Sequence, residues 1–346
     1  MPLENRRYTQ KDIATRAELS VAAVSMALKN HPSLPEETIV RVKQIAKELG
    51  YTPDPVLSAL VAHRNRKRVR NNFSVIGIVS NWSEPEGWAQ LQSAQEVIEG
   101  AKARAMELGY SLQHIRVKTD APESARLSAI LKNRGIRGLV LAPLKHHQDS
   151  IDLECDDFSV VTIEKPTLYP NFHHIIQNQF DDLLLCWEKL RERGYTRVGL
   201  VVMSDLADRC HHQWEAAHNY ALSQMDPAPA PIPILKLGEH SQTDSIRHWL
   251  RKYKPQAVIG RCDQFFEAAK LENLGIPEDL GYVSLNISDD RPGTSGINQN
   301  RNVMGAIAID ALNGLLLRNQ RGEQTVATST LVDGTWHEGD TLPPRG

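Results

Sequence analysis

The sequence predicts a small all-α N-terminal head followed by a two-lobed α/β body made of doubly wound parallel sheets. Residues 9–50 show helical spacing and no strand pattern. A short basic stretch follows, and from Phe73 onward buried strands alternate with amphipathic helices. At 346 residues the chain is also too long for one ordinary core, which favours two or three domains.

The head divides into three short helices. The first covers about residues 11–17, and Ser20 is suited to cap a second at 21–28. The third starts near Pro35, carries apolar residues at helical spacing and stops at Gly50. In the second helix Val24, Ala27 and Leu28 form one face, while Val21, Ala22, Ser25 and Met26 lie mostly on the other. Two small helices joined by a tight turn and braced by a third predict a helix-turn-helix.

Charge separates the head from the body. Residues 1–70 carry 13 Lys and Arg against 7 Asp and Glu, whereas the rest of the chain carries 27 against 35. A basic end on an acidic body is the pattern of a protein that meets a polyanion with one end.

The head resembles that of the lactose/galactose repressor family of bacterial transcription regulators. The resemblance is carried by TQKDIATRAELSVAAVSMALKNHPSLPEETIVRVKQIAKELGYTPDP, residues 9–55. The matching positions are Asp12, Ile13, Ala14, Ala17, Leu19, Ser20, Val24, Ser25, Thr38, Val42, Leu49, Tyr51, Pro53 and Asp54. Looser matches continue through the body, for example LRERGYTRVGLV, LGIPEDLGYVSLN and VDGTWHEGDTL.

The resemblance implies that the helix from Ser20 lies in the major groove of double-stranded DNA. The expected DNA contacts in the head are Thr9, Ser20, Val21, Ala22, Ser25, Met26 and Lys29. Val21, Ala22 and Met26 are apolar, so contact with thymine methyl groups is expected rather than bidentate readout of guanine or adenine. The alternative is that Val21 and Met26 belong to the head core.

Residues 53–72 are predicted to be a hinge helix and basic linker between the head (1–52) and the body. The family's hinge helix inserts a leucine into the minor groove, and Leu60 matches that leucine. Leu57 stands where the family usually has a small residue, and we also expect it to contact DNA. The alternative is a solvated linker without a wedge.

The body, residues 73–343, is expected to be periplasmic-binding-protein-like. We expect lobe 1 at about 73–174 and 298–325, and lobe 2 at about 175–297 and 326–343. Ligands of such folds bind at the carboxyl ends of strands, between the lobes. The expected effector-binding residues are Trp82, Arg209, His211, Asp263, Asn286 and Gln299. Arg209 and His211 compete for one family position, Asn286 replaces an aspartate typical of the family, and Trp82 and Trp88 are either a sugar platform or surface aromatics.

The sequence therefore predicts a cytoplasmic transcription regulator, a repressor, whose affinity for a pseudo-palindromic operator depends on a small-molecule effector, a carbohydrate. A homodimer is expected because one short recognition helix reads only a half-site. Neither a cofactor nor a metal is expected, since the paired histidines are adjacent and the four cysteines are scattered. The chain lacks GxSxG, P-loop and GxGxxG motifs, so no enzyme is expected. No apolar run reaches the roughly 18 residues of a membrane span, so no membrane partner is expected. The alternative is a sugar-active enzyme or sensor with a doubly wound fold.

Overall fold

The structure is a computed structural model. It describes eleven stretches of the chain, namely residues 8–28, 30–31, 33–51, 74–82, 87–117, 124–144, 153–165, 171–226, 230–238, 242–262 and 264–345. The predicted hinge and basic linker at 53–72, together with Lys29, Leu57, Leu60 and Asp263, lie outside these residues.

The head is a three-helix unit, as predicted. Its helices are α1 (Gln10–Ala17), α2 (Val21–Leu28) and α3 (Glu36–Glu48). Ser20 caps α2, because its Oγ accepts a 3.1 Å hydrogen bond from the backbone N–H of Ala23. The small core of the head consists of Ile13, Ala14, Ala17, Val24, Ala27, Val42 and Ala46.

The body contains two six-stranded sheets in the described residues. The first has the order β11-β5-β4-β3-β1-β2 and the second the order β12-β10-β9-β8-β6-β7. The pairs are parallel except for β12, which runs antiparallel to β10 at the edge. The strands are β1 (Ser74–Ser80), β2 (Tyr110–Arg116), β3 (Gly138–Leu141), β4 (Ser159–Ile163), β5 (His173–Gln177), β6 (Val198–Met203), β7 (Leu235–Leu237), β8 (Ala257–Gly260), β9 (Gly281–Ser284), β10 (Gly296–Asn298), β11 (Ser329–Val332) and β12 (Thr335–His337).

Helices cover these sheets and place their apolar faces in the lobe cores. They are α4 (Gln92–Leu108), α5 (Ser124–Asn133), α6 (Gln179–Glu192), α7 (Ser204–Arg209), α8 (Gln213–Ser223), α9 (Gln242–Tyr253), α10 (Phe265–Leu271) and α11 (Arg301–Arg318). In both sheets the first strand lies between the second and the third, which is the doubly wound arrangement with its switch point beside the first strand. The predicted fold class is confirmed.

The chain passes between the lobes three times, at residues 178, 299–300 and 333–334. The predicted lobe limits need a correction, because β11 pairs in parallel with β5 and therefore belongs to the first sheet. The return to the second lobe lies after Val332 rather than near 326. Likewise, residues 175–177, which we predicted in the second lobe, are part of β5 and belong to the first lobe.

The sequence from Arg209 through Met225, RCHHQWEAAHNYALSQM, has the composition of one continuous helix, but the structure interrupts it. The break lies between α7 and α8, where His211 and His212 have φ of 50° and 57°. The left-handed backbone at two successive residues ends α7 and starts α8 in a new direction. Arg209 and His211 are therefore not neighbours on one helix face, and Arg209 ends its own helix.

Candidate functional site

The outer face of α2 is the first candidate surface. Val21 has 45% of its area exposed and Ala22 is exposed, while Ser25 and Met26 are half-buried. The exposure of Val21 contradicts its assignment to the core, since the opposite face of α2 already supplies Val24 and Ala27 to that core. This leaves an exposed, largely apolar face.

Thr9 and Ser20 each stand at the start of a helix. The backbone N–H of Thr9 donates to Asp12 Oδ2 at 2.7 Å, and Thr9 Oγ1 lies 2.7 Å from the same oxygen. These contacts fix the start of α1, and Ser20 fixes the start of α2. N–H groups at helix starts are suited to phosphate oxygens, which is the chemistry expected of these two residues.

The second candidate site is a narrow cleft between the lobes with a cavity volume of about 40 Å³. Residues from both lobes line it at the carboxyl ends of β4, β5 and β6. They are Glu164, Lys165, Ile176, Gln177, Gln179, Arg209, Cys210, His211 and Gln213. This is the position where doubly wound folds bind small molecules.

Arg209 reaches from the second lobe to the first. Its Nη1 donates a 2.6 Å hydrogen bond to the carbonyl oxygen of Leu144 and lies 3.6 Å from Glu164 Oε2. Its Nη2 is 3.1 Å from Asp205 Oδ2. Burial lowers the pKa of Arg209, but attraction to Glu164 and Asp205 outweighs that effect and leaves the pKa raised. The guanidinium therefore stays charged inside the cleft.

Arg301 contacts the same acidic residue from the second crossover. Its Nη1 lies 3.7 Å from Glu164 Oε1, and its Nε and Nη2 donate to Gln299 Oε1 at 3.0 and 2.5 Å. Only 7% of this side chain is exposed. Burial lowers the pKa of Arg301, and the charge of Glu164 opposes that effect. The carboxylate of Glu164 thus lies between two buried guanidinium groups.

Further charged residues join the lobes next to these arginines. Arg261 Nη2 is 2.8 Å from Asp289 Oδ2, and Asp289 Oδ1 accepts a 3.0 Å hydrogen bond from the backbone N–H of Ser93 in the other lobe. Ser288 Oγ also donates to Glu96 Oε2 at 2.8 Å. The cleft is therefore bordered by polar contacts between the lobes.

Asn286 and Gln299, both predicted effector contacts, use their amides within the protein. Asn286 Nδ2 donates to Asp289 Oδ2 at 2.9 Å, and its Oδ1 accepts from Ser288 N at 3.2 Å. Gln299 Nε2 donates to the carbonyl oxygen of Leu285 at 3.0 Å, and its Oε1 accepts from Arg301. Each side chain is fully buried, and each fixes a charged neighbour, Asp289 or Arg301.

The remaining residues considered for the effector separate into one cleft residue, one half-buried aromatic and one core aromatic. His211 lines the cleft, and burial lowers its pKa. The indole N–H of Trp82 donates to the carbonyl oxygen of Pro143 at 3.0 Å, and the ring packs partly on the first lobe's core. Trp88 is only 4% exposed and stacks edgewise on His114, so it is neither a sugar platform nor a surface aromatic.

Sequence reasoning missed Glu164 and Arg301. Glu164 directly follows a buried strand, SVVTI, and Arg301 begins the helix after a short strand. The carboxyl end of a parallel strand is where ligand-binding residues concentrate, so the position of Glu164 was a usable signal. Arg301 gave no such signal, because its contact with Glu164 forms only when the two lobes meet.

The described residues contain neither a metal-binding cluster nor a membrane-spanning helix. No group of three or more His, Cys, Asp or Glu residues there could hold a metal ion. None of the helices in the same part of the chain is both long and apolar enough to cross a membrane.

These features define a helix-turn-helix head on a two-lobed body with a polar interlobe cleft. A family model described as bacterial regulatory proteins of the lacI family matches residues 9–54. A model of the periplasmic binding protein-like domain matches residues 187–342. The chain therefore combines a helix-turn-helix head of the lacI family of bacterial regulatory proteins with a periplasmic-binding-protein-like body.

The chain is similar to transcriptional repressors, in one case over nearly its whole length. The HTH-type transcriptional repressor CytR of Escherichia coli K12 is 24% identical over 349 residues, covering 94% of this chain and 93% of CytR. The transcriptional repressor PurR of Haemophilus influenzae is 26% identical over 195 residues, or 56% of this chain and 54% of PurR.

Two solved structures share the fold. The transcriptional regulator CelR in complex with cellobiose superimposes with a TM-score of 0.61 at 16% identity, covering 97% of this chain and 100% of that one. A lac repressor dimer bound to operator and the anti-inducer ONPF gives 0.57 at 19% identity, with 98% and 100% covered.

Proposed function

We propose that this transcription regulator is a repressor that binds a pseudo-palindromic operator as a homodimer. The observation that carries the DNA contact is the exposed face of α2, where Val21 and Ala22 lie outside the head core. The proposed contacts are Thr9, Ser20, Val21, Ala22, Ser25, Met26 and Lys29 in the head and Leu57 and Leu60 in the hinge. Two heads, one per subunit, supply the two half-sites.

The apolar face of α2 favours contact with thymine methyl groups. Val21, Ala22 and Met26 offer no hydrogen-bond donor or acceptor in their side chains, so they do not read guanine or adenine by bidentate bonds. Thr9 and Ser20 would instead fix the register of the head through phosphate contacts. The operator half-site should therefore contain thymine at the positions beneath α2.

We infer that a small molecule, a carbohydrate or carbohydrate derivative, binds between the lobes and changes operator affinity. Arg209 and His211 face the cleft, and Gln299 and Asn286 position the residues around it. Asp263 and Trp82 are also proposed as effector contacts. Closure of the lobes around a ligand would move the first lobe, which follows the hinge, and so change the spacing of the heads.

The operator proposal is tested by selecting bound fragments from a random DNA pool with the full-length protein. Enrichment of a two-fold symmetric motif, with stoichiometry of two chains per site, is expected. A motif without symmetry, or no enrichment over the input pool, contradicts the proposal.

The effector proposal is tested by titrating candidate sugars with and without the selected operator. Coupling is reciprocal, so a sugar that weakens operator binding must itself bind less tightly to the DNA-bound dimer. Equal affinities in the two titrations contradict an inducer role for that sugar.

A further inference from the structure

Arg301 is a nearly buried cation with little compensation. Within the described residues, the only carboxylate within 4 Å of its guanidinium is Glu164, at 3.7 Å, too far for a direct hydrogen bond. Its Nε and Nη2 both donate to one neutral oxygen, Gln299 Oε1. A buried charge is costly unless a counter-charge and hydrogen bonds satisfy it. Arg301 therefore offers a site for a further negative group.

Glu164 shares its single charge between two arginines. Oε2 lies 3.6 Å from Arg209 Nη1, and Oε1 lies 3.7 Å from Arg301 Nη1. The backbone of Glu164 is in the left-handed region, with φ of 67°, and its N–H donates to the carbonyl oxygen of Ile175 at 2.9 Å. A residue with a Cβ adopts this conformation only when its surroundings impose it. The carboxylate is thus held opposite the two guanidinium groups by the first lobe.

Two cations line the cleft beside Glu164, namely Arg209 and Lys165. Arg301 does not line the cleft itself, but its Nη1 lies 3.7 Å from Glu164 Oε1. A negative group that displaces the Glu164 carboxylate would therefore meet the guanidinium groups of Arg209 and Arg301.

Two buried amide oxygens also face this space. Gln177 Oε1 and Gln179 Oε1 have no hydrogen-bond partner among the described residues, and both side chains line the cleft. Buried acceptors of this kind are normally paired, so a ligand with hydroxyl or amide donors would satisfy them. The cleft therefore offers a ligand both cationic side chains and hydrogen-bond acceptors without a partner among the described residues.

We propose that the effector is an anionic polyhydroxylated molecule, a sugar acid or sugar phosphate, whose negative group binds Arg209 and Arg301 in place of the Glu164 carboxylate. Its hydroxyl groups donate to Gln177 and Gln179. This inference rests on the proposed effector role of the cleft. It adds the charge of the ligand and the two arginines that select it.

The test uses full-length protein without DNA, and the first probe is inorganic phosphate. Phosphate at constant ionic strength should raise the thermal unfolding temperature of the wild type relative to chloride. Arg301→Met should lose that rise and weaken phosphate binding roughly tenfold or more, as expected for loss of a charge-assisted contact. Arg247→Met is the matched control. Arg247 lies on α9, pairs with Glu272 and does not line the cleft. An unchanged rise in Arg301→Met, or no rise in the wild type, overturns the proposal.

Glu164→Gln keeps the test decisive if Arg301→Met does not fold. The substitution removes the internal competitor, so phosphate should bind roughly tenfold more tightly than to the wild type. If Glu164 only joins the lobes, the variant should bind phosphate no better or more weakly, and that result overturns the proposal.

Glucose, glucuronate and glucose 6-phosphate then separate the two sources of charge. Tighter binding of glucuronate supports a sugar acid, and tighter binding of glucose 6-phosphate supports a sugar phosphate. Glucose that binds as tightly as both, with equal affinity for wild type and Arg301→Met, contradicts the anionic class. Since none of these measurements contains DNA, failure of the operator selection would not remove the anion site, and failure here would not remove the operator.

Discussion

Asp182 Oδ1 accepts a 2.8 Å hydrogen bond from the backbone N–H of Gly334, which ties the first turn of α6 to the third crossover between the lobes. Gln177 Nε2, just before the first crossover, donates to Asp182 Oδ2 at 2.8 Å. A Cβ at position 334 would lie 2.6 Å from Asp182 Oδ1, so glycine is needed for this approach. One buried carboxylate therefore joins two of the three connections between the lobes.

Replacing Asp182 should change how stability depends on pH. Burial raises the pKa of Asp182 from 3.8 to about 6, although the Gln177 and Gly334 hydrogen bonds oppose this and the nearby charges of Asp333 and Arg301 act in opposite directions. The native state thus carries the cost of a buried charge above pH 6, and that cost disappears as pH falls toward 4. Asp182→Asn should raise the free energy of unfolding by about 1–3 kcal/mol at pH 7.5 and by much less at pH 4.5.

Urea unfolding of full-length protein at several pH values measures this difference. Asp244→Asn serves as the control, since 83% of the Asp244 side chain is exposed. A stability difference between wild type and Asp182→Asn that is constant from pH 4.5 to 7.5 would contradict the role of burial.

His218 should give the opposite pH dependence in the second lobe. It is fully buried, and its Nδ1 accepts a 3.2 Å hydrogen bond from Trp187 Nε1. Burial lowers its pKa from 6.5 to about 4, so the unfolded chain takes up a proton between pH 6.5 and 4 that the native state excludes. Stability should therefore fall by up to about 3 kcal/mol across this range. His218→Gln should flatten that part of the profile, and an unaltered slope would show that other groups cause it.

The proposed DNA contact of the outer face of α2 can be tested by introducing one negative charge there. Val21→Asp places a carboxylate where we propose contact with bases and near the phosphates, and it should weaken operator binding by roughly 100-fold or more. Val40→Asp is the matched control, because Val40 on α3 is 60% exposed and is not a proposed contact. Fluorescence anisotropy at one fixed salt concentration measures both. Equal losses in the two variants would mean that net charge, not the α2 face, explains the effect.

Replacing each of two glycines of α11 by alanine should change the free energy of unfolding in opposite directions. A Cβ at Gly305 would lie 2.1 Å from the carbonyl oxygen of Val97 on α4, whereas a Cβ at Gly314 meets only the flexible end of Arg318 at 3.3 Å. Gly305→Ala should lower the free energy of unfolding by about 2–4 kcal/mol through overpacking. Gly314→Ala should raise it by about 0.5–1 kcal/mol, because alanine favours the helix. Denaturant unfolding of the two variants side by side decides whether α4 and α11 pack this closely.

Local patterns predicted most of the fold. The helical spacing of Val24 and Ala27 and the cap at Ser20 identified the head, and strand-helix alternation identified the two doubly wound lobes. The edge strand β11 was placed in the wrong lobe, because a short strand carries no information about which free sheet edge it joins. The break at His211 and His212 was missed because the sequences on both sides favour helix.

The cleft was only partly predictable. Arg209 and His211 were expected there and do line it. Asn286 was expected to face a ligand, but its amide is used by Asp289 and Ser288 within the protein. Glu164 and Arg301 come from distant parts of the chain and acquire their relationship only when the lobes meet. No local spacing rule describes such a pair.

The order of strands also sets a condition on synthesis. β5 is the edge strand of the first sheet until β11, residues 329–332, pairs with it. In the same lobe, α11 must pack on α4 to cover the core. A ribosome therefore releases residues 74–177 long before it releases the segments that finish their sheet. The nascent chain has to keep an unpaired strand edge and an apolar helix face away from other chains until translation is almost complete.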